Sequence, residues 1–156
     1  MKIGDVYMTK EAFQDKWDEI AANCWGCGRN NDLGLQIKSY WEGDEAVCIW
    51  QPKEHHLAFQ GILNGGIIAS IIDCHCLNTA NAAYIKEKDL GWDILAGGFV
   101  TGTLNVKYIR PTPVSEPVKL IARVTEFLEK KIKVSCELYS NNNLCATGGI
   151  TAVKFS

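Results

Sequence analysis

The sequence predicts an α+β fold in which an antiparallel β-sheet wraps around one long central helix, with an extra helix on the N-terminal side. Three observations carry that prediction. The stretch 66–86 contains Ile67, Ile68, Ile71, Ile72, Leu77, Ala80, Ala82 and Ala83, and a helix apolar on nearly every side is a buried one. Four strand-like segments follow, at about 97–110, 116–128, 131–140 and 144–155, and read as a meander. An antiparallel sheet has one face to bury, and this helix is the element apolar enough to cover it.

Residues 9–23 read as an amphipathic helix, with Thr9 as N-cap and Phe13, Trp17, Ile20 and Ala21 recurring at three- and four-residue spacing. Residues 24–33 are irregular, with Gly26, Gly28, Asn30, Asn31 and Asp32. Residues 35–41 alternate as a half-buried strand does, Glu42-Gly43-Asp44 turns the chain, and 46–50 return until Pro52 ends the strand. Residues 53–65 form a loop carrying His55 and His56. In the meander, Glu129-Lys130 and Asn141-Asn142-Asn143 are natural tight turns, and Pro111, Pro113 and Pro117 punctuate the first connection.

At 156 residues the chain is one domain, with 1–33 as N-terminal helix and Cys/Gly leader and 34–156 as the core. A net charge of −2 leaves no broad basic field, which argues against nucleic acid as a partner. Met1-Lys2-Ile3-Gly4-Asp5 lacks the apolar core of a signal peptide. No uninterrupted apolar run approaches the roughly 18 residues of a membrane span. A cytoplasmic protein without a membrane partner is expected. The seven cysteines, an odd count, are expected to be reduced thiols.

The chemistry concentrates at Gln60-Gly61-Ile62-Leu63-Asn64-Gly65-Gly66 and the helix it opens. Free amides at a helix start receive developing negative charge. Asp73 sits two turns into the same helix, and an acid among apolar residues is costly to bury unless it has work to do. Donors plus a carboxylate point to acyl transfer. Cys24-x-x-Cys27 has the spacing of half a zinc site but no second pair. Asp73-Cys74-His75-Cys76 has ligand types, yet consecutive helix residues point in different directions. No metal and no other cofactor is expected.

The segment Gly61-Ile62-Leu63-Asn64-Gly65-Gly66 and the element layout resemble the hotdog-fold acyl-CoA thioesterases of the PaaI-like type. Cys24-Trp25-Gly26-Cys27-Gly28 with Asn31 and Gly34-Leu35 is similar to a leader found in a subset of them. The run from Thr101 through Arg110-Pro111, and Leu144-Cys145-Ala146-Thr147-Gly148, resemble the strand after the helix and the final strand. The resemblance implies an acyl-CoA substrate, with Asp73 as general base or nucleophile, the amides of Gly65 and Gly66 as oxyanion donors, and Thr101 assisting the attacking water. Asn64 stands where the family commonly has histidine, so a loop-fixing hydrogen bond survives there and acid–base work does not. Gln60 and Thr103 are candidate substrate contacts. Arg110, Lys130 and Lys131 supply local positive charge for the phosphates of CoA. A non-catalytic acyl-CoA binding module is the alternative. A hotdog dehydratase fits less well, because its His-Phe-Pro-Gly segment and proline-glycine helix start are absent.

Geometry adds a constraint. Gly65 and Asp73 are eight residues apart, about 12 Å along a helix rising about 1.5 Å per residue. An oxyanion donor and a base must both come within about 3 Å of the reacting atoms. One copy of the helix cannot serve both roles at one carbonyl, but two copies across a two-fold axis can. A homodimer at least is therefore expected, and a dimer of dimers is compatible with it.

Overall fold

The structure, a computed structural model, describes residues 10–92 and 98–155. Thr9, the expected N-cap, and residue 97, the expected start of a strand, lie outside them. The chain runs through α1 (Phe13–Lys16), a 3-10 turn (Glu19–Ala21), β1 (Tyr40–Glu42), β2 (Glu45–Trp50), a second 3-10 turn (Glu54–His56), β3 (Leu57–Phe59), β4 (Ile62–Leu63) and α2 (Gly65–Lys88). Then come β5 (Phe99–Tyr108), β6 (Val118–Leu128), β7 (Lys131–Ser140) and β8 (Asn143–Lys154). Six strands form one sheet in the order β1-β2-β6-β7-β8-β5, with every neighbour antiparallel. The α+β architecture expected from the sequence is the one the chain adopts.

The meander forms where alternation and turns say it should. Ser140 pairs with Asn143, and the two residues between them, Asn141 and Asn142, have φ of 48° and 63°. Asparagine tolerates this left-handed conformation, which two-residue hairpins require. Along β6, β7 and β8 the inner face is apolar: Leu120, Ala122, Ile132, Leu138, Ala146 and Ala152 are all fully buried.

The 24-residue helix α2 crosses that face. A sheet covers one side of a helix, so burial all round needs a second wall. The N-terminal segment supplies it: Phe13, Cys27, Leu35 and Ile37 join Ile68, Ile71, Ile72 and Cys76 in one core cluster. Each such Phe, Leu or Ile side chain, fully buried, contributes about 1.5–3 kcal/mol. His75 sits in the middle with no exposure. Its Nδ1 lies 2.8 Å from Ser39 Oγ and its Nε2 3.0 Å from the Ala46 carbonyl, so it ties the helix to both walls.

Three elements differ from the sequence expectation. The helix over 9–23 is split, because the backbone at Trp17 and Asp18 is extended. Trp17 turns inward, packs edge-on against Trp92 and donates its indole N–H to Asn78 Oδ1 at 2.6 Å, while Arg29 satisfies its carbonyl. Tertiary contacts override local periodicity there. The strand over 35–41 is mostly not one. Leu35, Ile37 and Ser39 are buried in alternation, but Gln36 has φ of 52°. The hydrogen bonds of this stretch go to the N-terminal segment, through Phe13 N to Ser39 O and Ser39 N to Gln14 Oε1. The loop over 53–65 instead contains the β3–β4 ribbon, whose tip is Gln60-Gly61; Gly61 has φ of 79°, a conformation only glycine adopts freely.

Candidate active site

Asp73 lies on the α2 face that meets β5. Thr101 Oγ1 donates to Asp73 Oδ1 at 2.6 Å, so the strand holds the carboxylate in one orientation. Burial pushes the Asp73 carboxyl above the usual carboxylate range, and the Thr101 hydrogen bond pulls against it. The carboxylate lines a cavity of about 250 Å³ together with Trp17, Cys24, Cys74, Asn78 and Phe99. Side-chain hydrogen bonds from Cys27 and then Cys74 lower the pKa of Cys24, and the contact with Cys24 pushes Cys27 up to about 11 and raises Cys74 as well. All seven cysteines are free.

The start of α2 is built separately. Asn64 is its N-cap, with Oδ1 accepting from Gly66 N at 2.8 Å and Ile67 N at 3.2 Å. Of the two amides expected to face an oxyanion, that of Gly66 is therefore already bonded. Among the described residues the Gly65 N–H has no acceptor, and it is the one left to meet a ligand. Tyr108 donates its hydroxyl to Gly65 O at 2.6 Å, and with Gly65, Ile68, Arg110 and Pro111 it lines a second cavity of about 340 Å³. Donor and acid thus open into different cavities of one chain, as the eight-residue spacing requires.

A bulge decides which strand residues reach this face. Thr101 pairs with Ala152 but Thr103 with Thr151, so β5 carries one extra residue at Gly102. Beyond it, Leu104 pairs with Ile150 and Tyr108 with Ala146. The inner positions therefore become 104, 106 and 108, and Thr103 turns to the other face, exposed. Tyr108 was missed because simple alternation from Thr101 excludes it, although a glycine inside a strand is a signal for such a bulge.

Of the remaining sequence candidates, Arg110 lines the second cavity, and Gln60, Lys130 and Lys131 line neither. Gln60 is exposed at the ribbon tip. Lys130 and Lys131 sit at the β6–β7 turn, where Lys154 N bonds Lys130 O and Lys131 stands 3.8 Å from Glu126. Arg110 lies past the other end of β5, 3.3 Å from Asn143 Oδ1. His56 is buried against Trp50, accepting from Lys53 N at 2.9 Å, and lines neither cavity.

One antiparallel sheet wrapped over a single central helix, with an acid on that helix and a capped glycine turn at its start, is the hotdog fold. A family model described as the thioesterase superfamily matches residues 60–146, from the glycine turn into the final strand. The chain belongs to the thioesterase superfamily. A solved thioesterase superfamily protein from Shewanella loihica PV-4 is 36% identical, with a TM-score of 0.64, over 77% of this chain and 91% of that one. The PaaI protein of the E. coli phenylacetic acid degradation operon shares the fold, with a TM-score of 0.64 at 14% identity over 78% of this chain and 81% of that one. The acyl-coenzyme A thioesterase THEM4 of Xenopus laevis is 30% identical over 97 residues, which are 62% of this chain and 38% of that protein. The chain thus spans well under half of that relative. Among the described residues no helix is long and apolar enough to cross a membrane.

Proposed function

We propose that this protein hydrolyses acyl-CoA thioesters to the free acid and CoA in the cytoplasm, as a homodimer whose two active sites are each shared between protomers. The observation that carries the reading is the Thr101–Asp73 hydrogen bond at 2.6 Å beside a cavity. A partly buried acid, oriented by a strand hydroxyl and facing open space, suits a base for water or a nucleophile toward a carbonyl. The Gly65 N–H at the helix start suits the carbonyl oxygen, where negative charge develops. Asp73 takes a proton from water as the oxygen attacks the thioester carbon, and the C–S bond breaks to release the CoA thiolate, which takes the proton back from Asp73 to become the thiol. Thiolate is a good leaving group, so placement, a donor and a base suffice.

The edge of the sheet supports the shared site. Among the described residues β5 has a single hydrogen-bonded neighbour, β8. Its helix-facing Leu104 and Tyr108 remain 40% and 54% exposed. A long exposed apolar edge strand invites pairing. Antiparallel pairing of two β5 strands about a two-fold at Asn105 keeps inner positions opposite inner ones and, counting the extra residue at Gly102, sets position 108 of one protomer opposite position 101 of the other. Gly65, held by Tyr108, then approaches the other protomer's Asp73, held by Thr101. Arg110, at the donor end, is the basic residue best placed for a CoA phosphate; Gln60, Thr103, Lys130 and Lys131 have no role in this arrangement.

Thiol release measured over short, long and aromatic acyl-CoAs tests the reading. Turnover of at least one class is expected, with kcat lowered about 10²-fold or more in Asp73→Asn. Saturable acyl-CoA binding without thiol release would instead establish the binding-module alternative.

A further inference from the structure

The cysteine-glycine leader and the central helix meet at a point that the hydrolytic reading does not use. The sulfurs of Cys24, Cys27 and Cys74 all lie within 4.8 Å of one another. Cys24 and Cys74 Sγ are 3.8 Å apart. A disulfide holds its sulfurs at about 2.05 Å. In a sulfur tetrahedron around zinc, with bonds of about 2.3 Å, the sulfur–sulfur edge is about 3.8 Å. The spacing fits thiolates around an ion.

We propose that Cys24, Cys27 and Cys74 form a three-thiolate site for a thiophilic cation, zinc first, with the fourth coordination position open to the cavity that Asp73 lines. The surroundings are arranged to hold such a cluster. Gly28 N donates to Cys24 O at 2.7 Å and Leu35 N to Trp25 O at 2.8 Å, which fixes the Cys-x-x-Cys turn through the backbone. At position 26 any side chain would collide with the Cys74 sulfur, so glycine there lets the third thiol reach the pair. Asn78 braces the site from outside: its Nδ2 donates to Cys27 Sγ at 3.4 Å and to Cys74 O at 2.7 Å, while its Oδ1 accepts from Trp17. Outer hydrogen bonds of this kind orient metal ligands. Cys24 is exposed while Cys27 is buried and Cys74 half-buried, which provides an entry path from solvent. All three line the cavity, and three protein ligands with a free position is the plan of a zinc site that takes up a further small ligand. The Asp73 carboxylate, bonded to Thr101, stands outside the sulfur cluster.

The test reads metal binding, not turnover, so its result is separable from that for thioester hydrolysis. The reduced, chelator-stripped protein is reloaded with Zn2+ and analysed for metal content, and a parallel sample is loaded with Co2+. One zinc per chain and the sulfur-to-cobalt charge-transfer absorption of a thiolate site are expected. Both should be lost in Cys24→Ser, Cys27→Ser and Cys74→Ser and kept in Cys145→Ser, which alters a thiol elsewhere in the core. Cys24→Ser changes an exposed side chain, and circular dichroism confirms its fold, so it decides the matter even where the buried variants fold poorly. Folded, reduced wild type that takes up no stoichiometric zinc overturns the proposal. So does zinc retained by Cys24→Ser. A mass lower by two hydrogens in the protein purified without reductant, with the loss mapping to a Cys24–Cys74 or Cys24–Cys27 bond, overturns it in favour of a redox pair.

Discussion

Two inactive variants should restore one another if donor and acid come from different protomers. Asp73→Asn removes the base and leaves the start of α2 intact. Gly65→Pro removes the amide at the start of α2 that has no acceptor among the described residues. Proline is suited to the first helical position, where its fixed φ matches the helix and its missing N–H breaks no helical bond. The preceding Asn64 already has φ −58° and ψ 131°, the extended range that a residue before proline prefers. Loss of one oxyanion donor costs about 10²–10³-fold, and loss of a general base about 10²–10⁴-fold. In a mixed dimer, one site carries both lesions. The other takes the Gly65 N–H from the Asp73→Asn chain and Asp73 from the Gly65→Pro chain. Random exchange of equal amounts makes about half the dimers mixed, each with one good site of two, so activity should return to about a quarter of wild type. The assay is thiol release after co-refolding, with exchange confirmed by native mass spectrometry and each parent shown to be folded. Confirmed exchange without recovery would refute the shared site, and so would a chain that is monomeric while active, because about 12 Å of helix separates the two groups in one copy.

Thr101→Val keeps the shape of the strand and removes the hydroxyl that donates to Asp73. A hydrogen bond to a charged group is worth about 1.5–3 kcal/mol, so kcat should fall about 10- to 10²-fold with KM little changed, and Thr101→Ser should recover most of it. Asn64→Ala deletes the acceptor for two helix amides and should destabilise the fold by about 0.5–2 kcal/mol in urea denaturation; unchanged stability would show that the cap is not formed in solution. Asn64→His should support turnover within a few fold of wild type, with no new titration near pH 6.5. A large gain with such a titration would show that histidine at this position does acid–base work absent from this chain. Leu104→Glu, one position from the proposed two-fold, should lower the sedimentation coefficient toward that of a monomer and abolish thiol release together with it, since two charges would be brought together across an apolar edge.

The parts of this protein that were legible in the sequence are those where local pattern and final environment agree. The meander was readable because period-two alternation records which face is buried, and α2 because apolar residues on every side admit no other place for a helix. The leader was not readable, because what shapes it lies far along the chain: Trp17 leaves its helix to reach Asn78, 61 residues away. The cysteines show the same limit. Four consecutive helix residues do point in four directions, Asp73 to Thr101, Cys74 to the leader, His75 to Ser39 and Cys76 toward Cys136. That divergence excludes a site made from the four, yet it leaves each free to complete a site begun elsewhere, as Cys74 completes the Cys24–Cys27 pair.

Asn64 carries the argument furthest. Asparagine before a glycine pair at a helix start has the sequence signature of an N-cap, and a cap has a chemical consequence as well as a structural one. Each amide it satisfies is withdrawn from the set that can stabilise an oxyanion. Here the cap takes Gly66 and Ile67, and Tyr108 holds the carbonyl of Gly65, so the peptide that carries the free N–H is fixed on both sides. A residue that cannot titrate near neutrality still selects the donor, by engaging its neighbours. For that reason a change at Asn64 should register first in the stability of the helix start and in the number of free amides, and only through them in the rate.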